Sequence, residues 1–283
     1  MDKPQWRAMD DETRAVAYSP SSALEGSIDP FIAAYVENSK AAYAACPDVR
    51  TLTYGSKPGN TVDVALPAGA DGPVPLHVFI HGGYWQELSK RESFFPAPDT
   101  LARGMAFAAV DYTLAPAASV AEIAEECCAA LTLLSGQAAA LGIDPARIVL
   151  SGSSAGAHLA AMCCLNLPPH LRPRGVVLMS GVYELEPLVG TYVNDALGLD
   201  AAAAQAVSPA LKDLSGFPPA LIAWGRQETE EFKRQSRHFA GLLNAAGTSA
   251  ETLEMAQRNH FDIVEDLANG TALGEGMARL AAG

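Results

Sequence analysis

The chain has 283 residues, 49% of them hydrophobic and 18% charged, a composition that excludes a disordered protein and is long enough to bury a large core. Its net charge of −13, with no cluster of Lys and Arg, argues against a nucleic-acid partner, because phosphate contacts need concentrated basic side chains. No apolar run approaches the ~20 residues of a membrane-spanning helix. The stretch MDKPQWRAMDDETRAVAY is charged and lacks a signal-peptide core, so a soluble, cytoplasmic enzyme or binding protein is expected.

In chain order, residues 10–46 read as helical, with DPFIAAYVENSKAAYAA carrying apolar residues at helical spacing after an Asp29-Pro30 start. VRTLTYG and TVDVALP are short β-like runs joined by SKPGN, which predicts a hairpin. Strands and helices then alternate. PLHVFI predicts a strand, SFFPAPDTLARG a helix, and GMAFAAVDYTL a strand. SVAEIAEECCAALTLLSGQAAALG predicts a long helix capped by Ser119, with Glu122 three residues on. RIVLSG, GVVLMSG, PPALIAWG and SAETLEMA are further strands, and AGAHLAAMCCLNL, EFKRQSRHFAGLLNAAG and FDIVEDLANGTALGEGMARL further helices. Uninterrupted apolar strands separated by helices predict an α/β fold with a mostly parallel, doubly wound sheet covered on both faces. Ligands of such sheets bind at the carboxyl ends of the strands. One domain over 1–283 is expected, with 1–48 as an N-terminal helical extension and 181–219 as a small cap region.

The five cysteines, Cys46, Cys127, Cys128, Cys163 and Cys164, are odd in number and fit neither zinc-ligand spacing nor a disulfide framework. They read as packing residues in apolar stretches. No metal and no cofactor is expected, and a homodimer is left open.

Residues 152–156 read Gly-Ser-Ser-Ala-Gly between a predicted strand and a predicted helix, which is the G-x-S-x-G pattern in the context that gives it meaning. A sharp strand-to-helix turn lifts the central Ser154 clear of the sheet, and the helix N-terminus behind it offers free N–H groups and the positive end of a dipole. Ser154 is therefore the candidate nucleophile and the Ala155 N–H a candidate oxyanion donor. A serine needs an adjacent base held by a third group. In this arrangement the chain order is serine, acid, histidine, and His260, in NHFDIVEDL, is the histidine that follows. His77, His81, His158, His170 and His238 fit strand, motif, packing, loop and helix positions. For the acid, Glu228 lies just past the strand PPALIAWG, whereas Glu230 and Glu231 suit the first turn of the next helix.

HGGYW, residues 81–85, follows the strand PLHVFI; on these five residues alone, a glycine turn and a backbone ligand site are both open. With HGGYW, GSSAG, WGRQE and NHF in this order, the chain resembles the α/β-hydrolase fold over roughly residues 50–280. HGGYW, GRQETEEFKRQS and NHFDIVE further resemble the kynurenine formamidase (arylformamidase) branch and its carboxylesterase relatives. Two positions depart from that pattern: Ser153 stands where His is frequent, and the acid is Glu228 where Asp is commoner.

The resemblance implies a metal-independent serine hydrolase of aryl formamides such as N-formyl-L-kynurenine, with small esters as the alternative substrates. A catalytically silent binding module is the remote alternative. It also implies that the N–H groups of Gly83 and Tyr84, with Gly82, face the oxyanion opposite Ala155. Tyr84 and Trp85 would then narrow the acyl side of the pocket, although Trp85 fits a core position equally well.

Overall fold

The computed structural model describes residues 5–282 apart from Pro47 and Asn269. Two helices, α1 (Asp11–Ala17) and α2 (Asp29–Ala45), precede the antiparallel hairpin of β1 (Arg50–Thr53) and β2 (Thr61–Ala65). Next come β3 (Val74–Ile80), α3 (Ala97–Ala102), β4 (Ala106–Val110), α4 (Val120–Gly136) and the short α5 (Ala138–Leu141). They are followed by β5 (Ile143–Ser153), α6 (Ala155–Asn166) and β6 (Gly175–Met179). The crossover to β7 (Ala220–Gly225) carries α7 (Asn194–Leu197) and α8 (Ala201–Ala206), and α9 (Glu230–Ala245), β8 (Ala250–Met255) and α10 (Ala272–Ala282) follow.

All eight strands form one sheet in the order β1-β2-β4-β3-β5-β6-β7-β8. Pairing is parallel from β4 through β8, and antiparallel where β2 meets β1 and β4. From β3 the chain steps to β4 on one side, then returns to place β5 on the other. The carboxyl ends of β3 and β5 therefore flank a topological switch point, where an open α/β sheet leaves a crevice.

The sheet separates two apolar layers. On one face, Leu76, Val78 and Ile80 of β3 and Leu150 of β5 pack with Ile123 of α4, Leu159 of α6 and Phe239 of α9. On the other, Phe79, Val149 and Val177 pack with Tyr35 of α2, Ala97 of α3 and Met277 of α10. Neighbours in a strand thus point to opposite cores, so both alternate positions must be apolar and the runs read as continuous. Each fully buried Val, Leu, Ile or Phe contributes about 1.5–3 kcal/mol of transfer free energy. Ser119 caps α4 as expected, its Oγ accepting the Glu122 N–H while Glu122 accepts the Ser119 N–H at 2.8 Å.

Four expected helices are shorter than their patterns suggested, one of them SVAEIAEECCAALTLLSGQAAALG, which divides at Gln137 into α4 and α5. Residues 10–46 are two helices, because Pro20 cannot donate an N–H, Leu24 is extended and Gly26 takes φ 124° between them. In SFFPAPDTLARG only Ala97–Ala102 is helical, beginning after the pre-proline bend at Phe95. FDIVEDLANGTALGEGMARL divides into a 3₁₀ turn at Ile263–Leu267 and α10, separated at the extended Ala268 and at Gly270 with φ 64°.

Candidate active site

Ser154 is the single residue between β5 and α6, and it takes φ 56° and ψ −119°, a conformation that side chains rarely adopt. The surroundings hold it there. Its N–H donates to Met179 O at 2.8 Å, and its own carbonyl accepts the N–H groups of Ala157 and His158 at 3.0 and 3.2 Å. The flanking glycines are steric requirements. A Cβ on Gly152 would meet the Gly156 carbonyl, and one on Gly156 would meet the carbonyls of Ile80 and His81. Bare backbone therefore lets α6 close directly onto the ends of β3 and β5. The N–H groups of Ala155 and Gly156, in the first turn of this twelve-residue helix, donate to no described group.

Glu228 and His260 meet at the ends of β7 and β8. His260 Nδ1–H donates to Glu228 Oε2 at 3.1 Å, and the carboxylate side chain is fully buried. The other oxygen, Oε1, accepts from Ser180 Oγ at 2.6 Å and from the Gly225 N–H. Three donors therefore converge on one carboxylate, which fixes it as an acceptor and assigns the imidazole proton to Nδ1. The loop carrying His260 is tied down on both sides. Gln227 N–H donates to Arg258 O at 3.0 Å, Asn259 Oδ1 accepts from Phe261 N–H at 2.8 Å, and the Phe232 ring stands edge-on to the imidazole at 4.4 Å. Glu230 instead is exposed at the start of α9 with Lys233 and Arg237, and Glu231 accepts from the Tyr18 hydroxyl at 2.7 Å.

The HGGYW loop lies across the switch point from Ser154. A Cβ on Gly82 would come within 2.8 Å of Ser153 O and 3.2 Å of Ser154 Cβ, so this backbone rests against the serine turn. Gly83, Tyr84, Trp85 and Leu88 all take positive φ, at 93°, 48°, 59° and 68°. In this coiled path the N–H groups of Gly82, Gly83 and Tyr84 have no acceptor among the described residues. The Tyr84 hydroxyl donates to Tyr18 O. Tyr112 clamps the other end, donating to His81 O and Gly82 O at 3.0 and 3.1 Å. Trp85 does not reach the cavity. It is fully buried, edge-on to His158 at 5.0 Å, and its carbonyl accepts the Ala115 N–H at 2.8 Å. The expectation of Trp85 as a substrate contact is corrected to a core residue that anchors the loop.

Ser154, His260, Gly82, Gly83 and Tyr84 all line one cavity of about 300 Å³. Ser154 Oγ and His260 Nε2 have no hydrogen bond between them here; such contacts often tighten only around a bound substrate. The wall is completed by Ile28, Ile32 and Tyr35 of the N-terminal segment and by Tyr192 and Val193 from the 181–219 crossover. Sequence reasoning missed Ser180, a buried residue at φ 52° directly after β6. Its position past a strand end is the signal that could have found it. It also missed Phe95, which lines the cavity from a loop without a motif, and a role for Phe261, which lines it beside His260 within NHF.

The other histidines lie elsewhere. His77 is inside the sheet, 2.6 Å from Ser151 Oγ, and His158 donates to Val207 O at 2.7 Å; burial pushes their basicity down, to pKa values of about 3 and about 4. His81 stacks on Tyr112, and His170 and His238 are exposed. All five cysteines are unpaired thiols, four of them buried. Among the described residues, no group of three or more His, Cys, Asp or Glu side chains is disposed to hold a metal, and no helix is long and apolar enough to cross a membrane.

A family model for the alpha/beta hydrolase fold matches residues 77–262, which include the serine turn, Glu228 and His260. Kynurenine formamidase of Danio rerio is 31% identical over 280 residues, covering 93% of this chain and 94% of its own. Kynurenine formamidase of Salmo salar is 29% identical with 94% coverage of each chain. The crystal structure of a candidate thioesterase from Silicibacter sp. superposes with a TM-score of 0.82 at 30% identity, covering 93% of this chain and 97% of that one. The chain belongs to the α/β-hydrolase family and, within it, to the kynurenine formamidases.

Proposed function

We propose that the protein is a serine hydrolase that removes a small acyl group from an aryl amine, an aryl formamidase of the N-formyl-L-kynurenine type. One observation carries the reading: a buried, triply bonded Glu228 holds His260 with its Nε2 side on the same cavity as Ser154. The names of the relatives at about 30% identity support the formamide as substrate.

In this mechanism Ser154 Oγ attacks the formyl carbon while His260 Nε2 takes the hydroxyl proton. Negative charge develops on the former carbonyl oxygen, which receives the free N–H groups of Ala155 and of the Gly82–Gly83–Tyr84 stretch. When the intermediate collapses the C–N bond breaks, and His260 delivers its proton to the leaving nitrogen, releasing the neutral aryl amine. Water then attacks the formyl-enzyme, giving its proton to His260. Formate leaves as Ser154 regains the proton. Glu228 remains ionised throughout and stabilises the transient imidazolium.

The likeness to a candidate thioesterase, and to an isoprenylcysteine alpha-carbonyl methylesterase of Arabidopsis thaliana at 27% identity over 241 residues, favours a second reading, in which the same machinery cleaves thioesters or small esters. The odd number of cysteines, at spacings that fit no disulfide framework, supports a reducing, cytoplasmic setting. The test combines a fluorophosphonate probe with kcat/KM on N-formyl-L-kynurenine and on p-nitrophenyl acetate. The probe is expected to label Ser154 alone, Ser154→Ala to lose label and at least about 10³-fold in kcat, and the formamide to be the better substrate. An unlabelled wild-type protein would end the serine-hydrolase reading; a strong preference for the acetate would move the assignment to an esterase.

A further inference from the structure

The five cysteines do not share one environment. Cys46 is buried in the apolar layer on the α2 side of the sheet, and Cys127 and Cys164 are fully enclosed in the layer on the other side. Packing accounts for these three. Cys128 differs. It follows Cys127 on α4, at the edge of that helix's buried face, and is the one thiol of the five that is half-buried and not buried. Its sulfur lies 3.8 Å from that of Cys163 on α6, within hydrogen-bonding range for two thiols. Cys163 is completely buried, on a helix whose residues from Ala155 to Cys164 are all enclosed.

A reachable thiol seated against a sealed one is the arrangement of an attacking and a resolving cysteine. Oxidants react with the thiolate, so the order of ionisation decides which sulfur attacks. When Cys128 ionises, the Cys163 S–H donates to it, and this hydrogen bond draws the Cys128 pKa below that of an ordinary thiol, against the opposing effect of burial. Cys163 moves the other way, through the same contact and through its own burial, and keeps its proton. The sulfur that ionises is therefore the one that solvent reaches. A disulfide places its sulfurs about 2.05 Å apart. The remaining approach of about 1.8 Å is within the range of a χ1 rotation of Cys128.

We propose that Cys128 and Cys163 form an oxidation site, at which a peroxide converts the two thiols into a disulfide joining α4 to α6. The Cys128 thiolate attacks one peroxide oxygen. An S–O bond forms, the O–O bond breaks, and the other oxygen leaves as hydroxide, which takes a proton from solvent to become water. Cys163 then attacks the sulfenic sulfur. The S–S bond forms, the S–O bond breaks, and the departing hydroxide takes the Cys163 proton as a second water. Two electrons have passed from the sulfurs to the peroxide. Stopping at the disulfide keeps Cys128 from the irreversible sulfinic state, and a thiol reductant restores the pair. The bond joins positions 35 residues apart and ties the helix that begins at the serine turn to α4. The site does not depend on the serine-hydrolase reading.

The test treats the folded wild-type protein with a small molar excess of hydrogen peroxide, alkylates the remaining thiols and reads the product by mass spectrometry. The five free thiols should fall by two, the protein should lose about 2 Da, and peptide fragments should place one bond between Cys128 and Cys163. Dithiothreitol should restore all five thiols. The linked protein should melt about 3–8 °C above the reduced one. Cys128→Ser, at the half-buried position, should leave its four other thiols untouched by peroxide. Cys163→Ala removes the resolving thiol, so Cys128 should go on to the sulfinic acid, about 32 Da heavier. Five thiols that survive peroxide in the folded wild-type protein overturn the proposal. So does a wild-type Cys128 that reaches the sulfinic acid with Cys163 still free, or a bond that joins a different pair. These wild-type outcomes decide the matter whether or not either variant folds.

Discussion

Glu228 shows how much chemistry one side chain can be made to determine. Its two oxygens are filled by three donors, two on Oε1 and His260 on Oε2. Glu228→Gln keeps the shape but must put its NH₂ against one of these donors. The oxygen is best placed facing Ser180 and Gly225, which leaves the NH₂ toward His260 and turns Nδ1 into an acceptor. The imidazole then carries its proton on Nε2 and cannot take the one from Ser154. The expected result is a loss of about 10³–10⁴ in kcat with little change in KM, measured by steady-state kinetics. Glu230→Gln, at an exposed site paired only with Lys233 and Arg237, should retain wild-type turnover. A crippled Glu230→Gln beside an active Glu228→Gln would reassign the acid. At this scale the sequence was informative where a residue type is demanded by a turn or a strand end, as for Ser154, Glu228 and His260. Ser180 also stands past a strand end, but its contribution is a single hydroxyl donated to Glu228, and no motif marks it out from the other serines of the chain.

The HGGYW loop is an element built from strain and anchors. Four of its residues, or of those just after it, sit at positive φ, and only one of these is a glycine, so the path costs about 1–3 kcal/mol per strained non-glycine residue. Trp85 offsets that cost by full burial against His158 and by its carbonyl bond to Ala115. Tyr84 ties the loop to Tyr18, whose hydroxyl reaches Glu231 and is itself approached by Gln235 of α9. Trp85→Ala should therefore lower the unfolding free energy by about 3–5 kcal/mol and lower kcat together with it, as read from urea titration and turnover on short esters. A wall role for Trp85 would give the opposite pattern: unchanged stability and a shifted preference between acetate and octanoate. The pentapeptide alone could not distinguish these outcomes, since an aromatic after two glycines is equally at home in a core and on a pocket. The helical breaks at Pro20 and Gly270 were obscured in a related way: apolar spacing on either side was in phase enough to look continuous, and the punctuation is local.

Across the whole molecule, the parallel sheet was legible because both faces are covered, which forces uninterrupted apolar strands; the strand order was not, because hydrophobic periodicity is silent about which strands become neighbours. Two histidines sit inside those apolar layers and give the fold a pH dependence of its own. His77 of β3 bridges to Ser151 of β5 within the sheet, and His158 of α6 is pinned to Val207 of the crossover that also walls the cavity. Both are completely buried, and desolvation of the charged form drives their pKa values from 6.5 to about 3 and about 4. In the unfolded chain each regains its ordinary value, so below pH 6.5 the unfolded state binds protons that the folded state refuses. The sign follows: this contribution to stability is fully present above pH 6.5 and is lost as the pH falls from 6.5 toward 4 and below. At pH 5 the loss amounts to about 2 kcal/mol for each histidine. Urea titrations should therefore show the unfolding free energy falling by about 4 kcal/mol from pH 7 to pH 5 through these two groups, and two of the six imidazole C–H resonances should keep their neutral chemical shifts throughout that range. Six imidazoles that all titrate near pH 6.5 in the folded protein would show that water reaches both sites, and that neither histidine is sealed between the sheet and its covering helices.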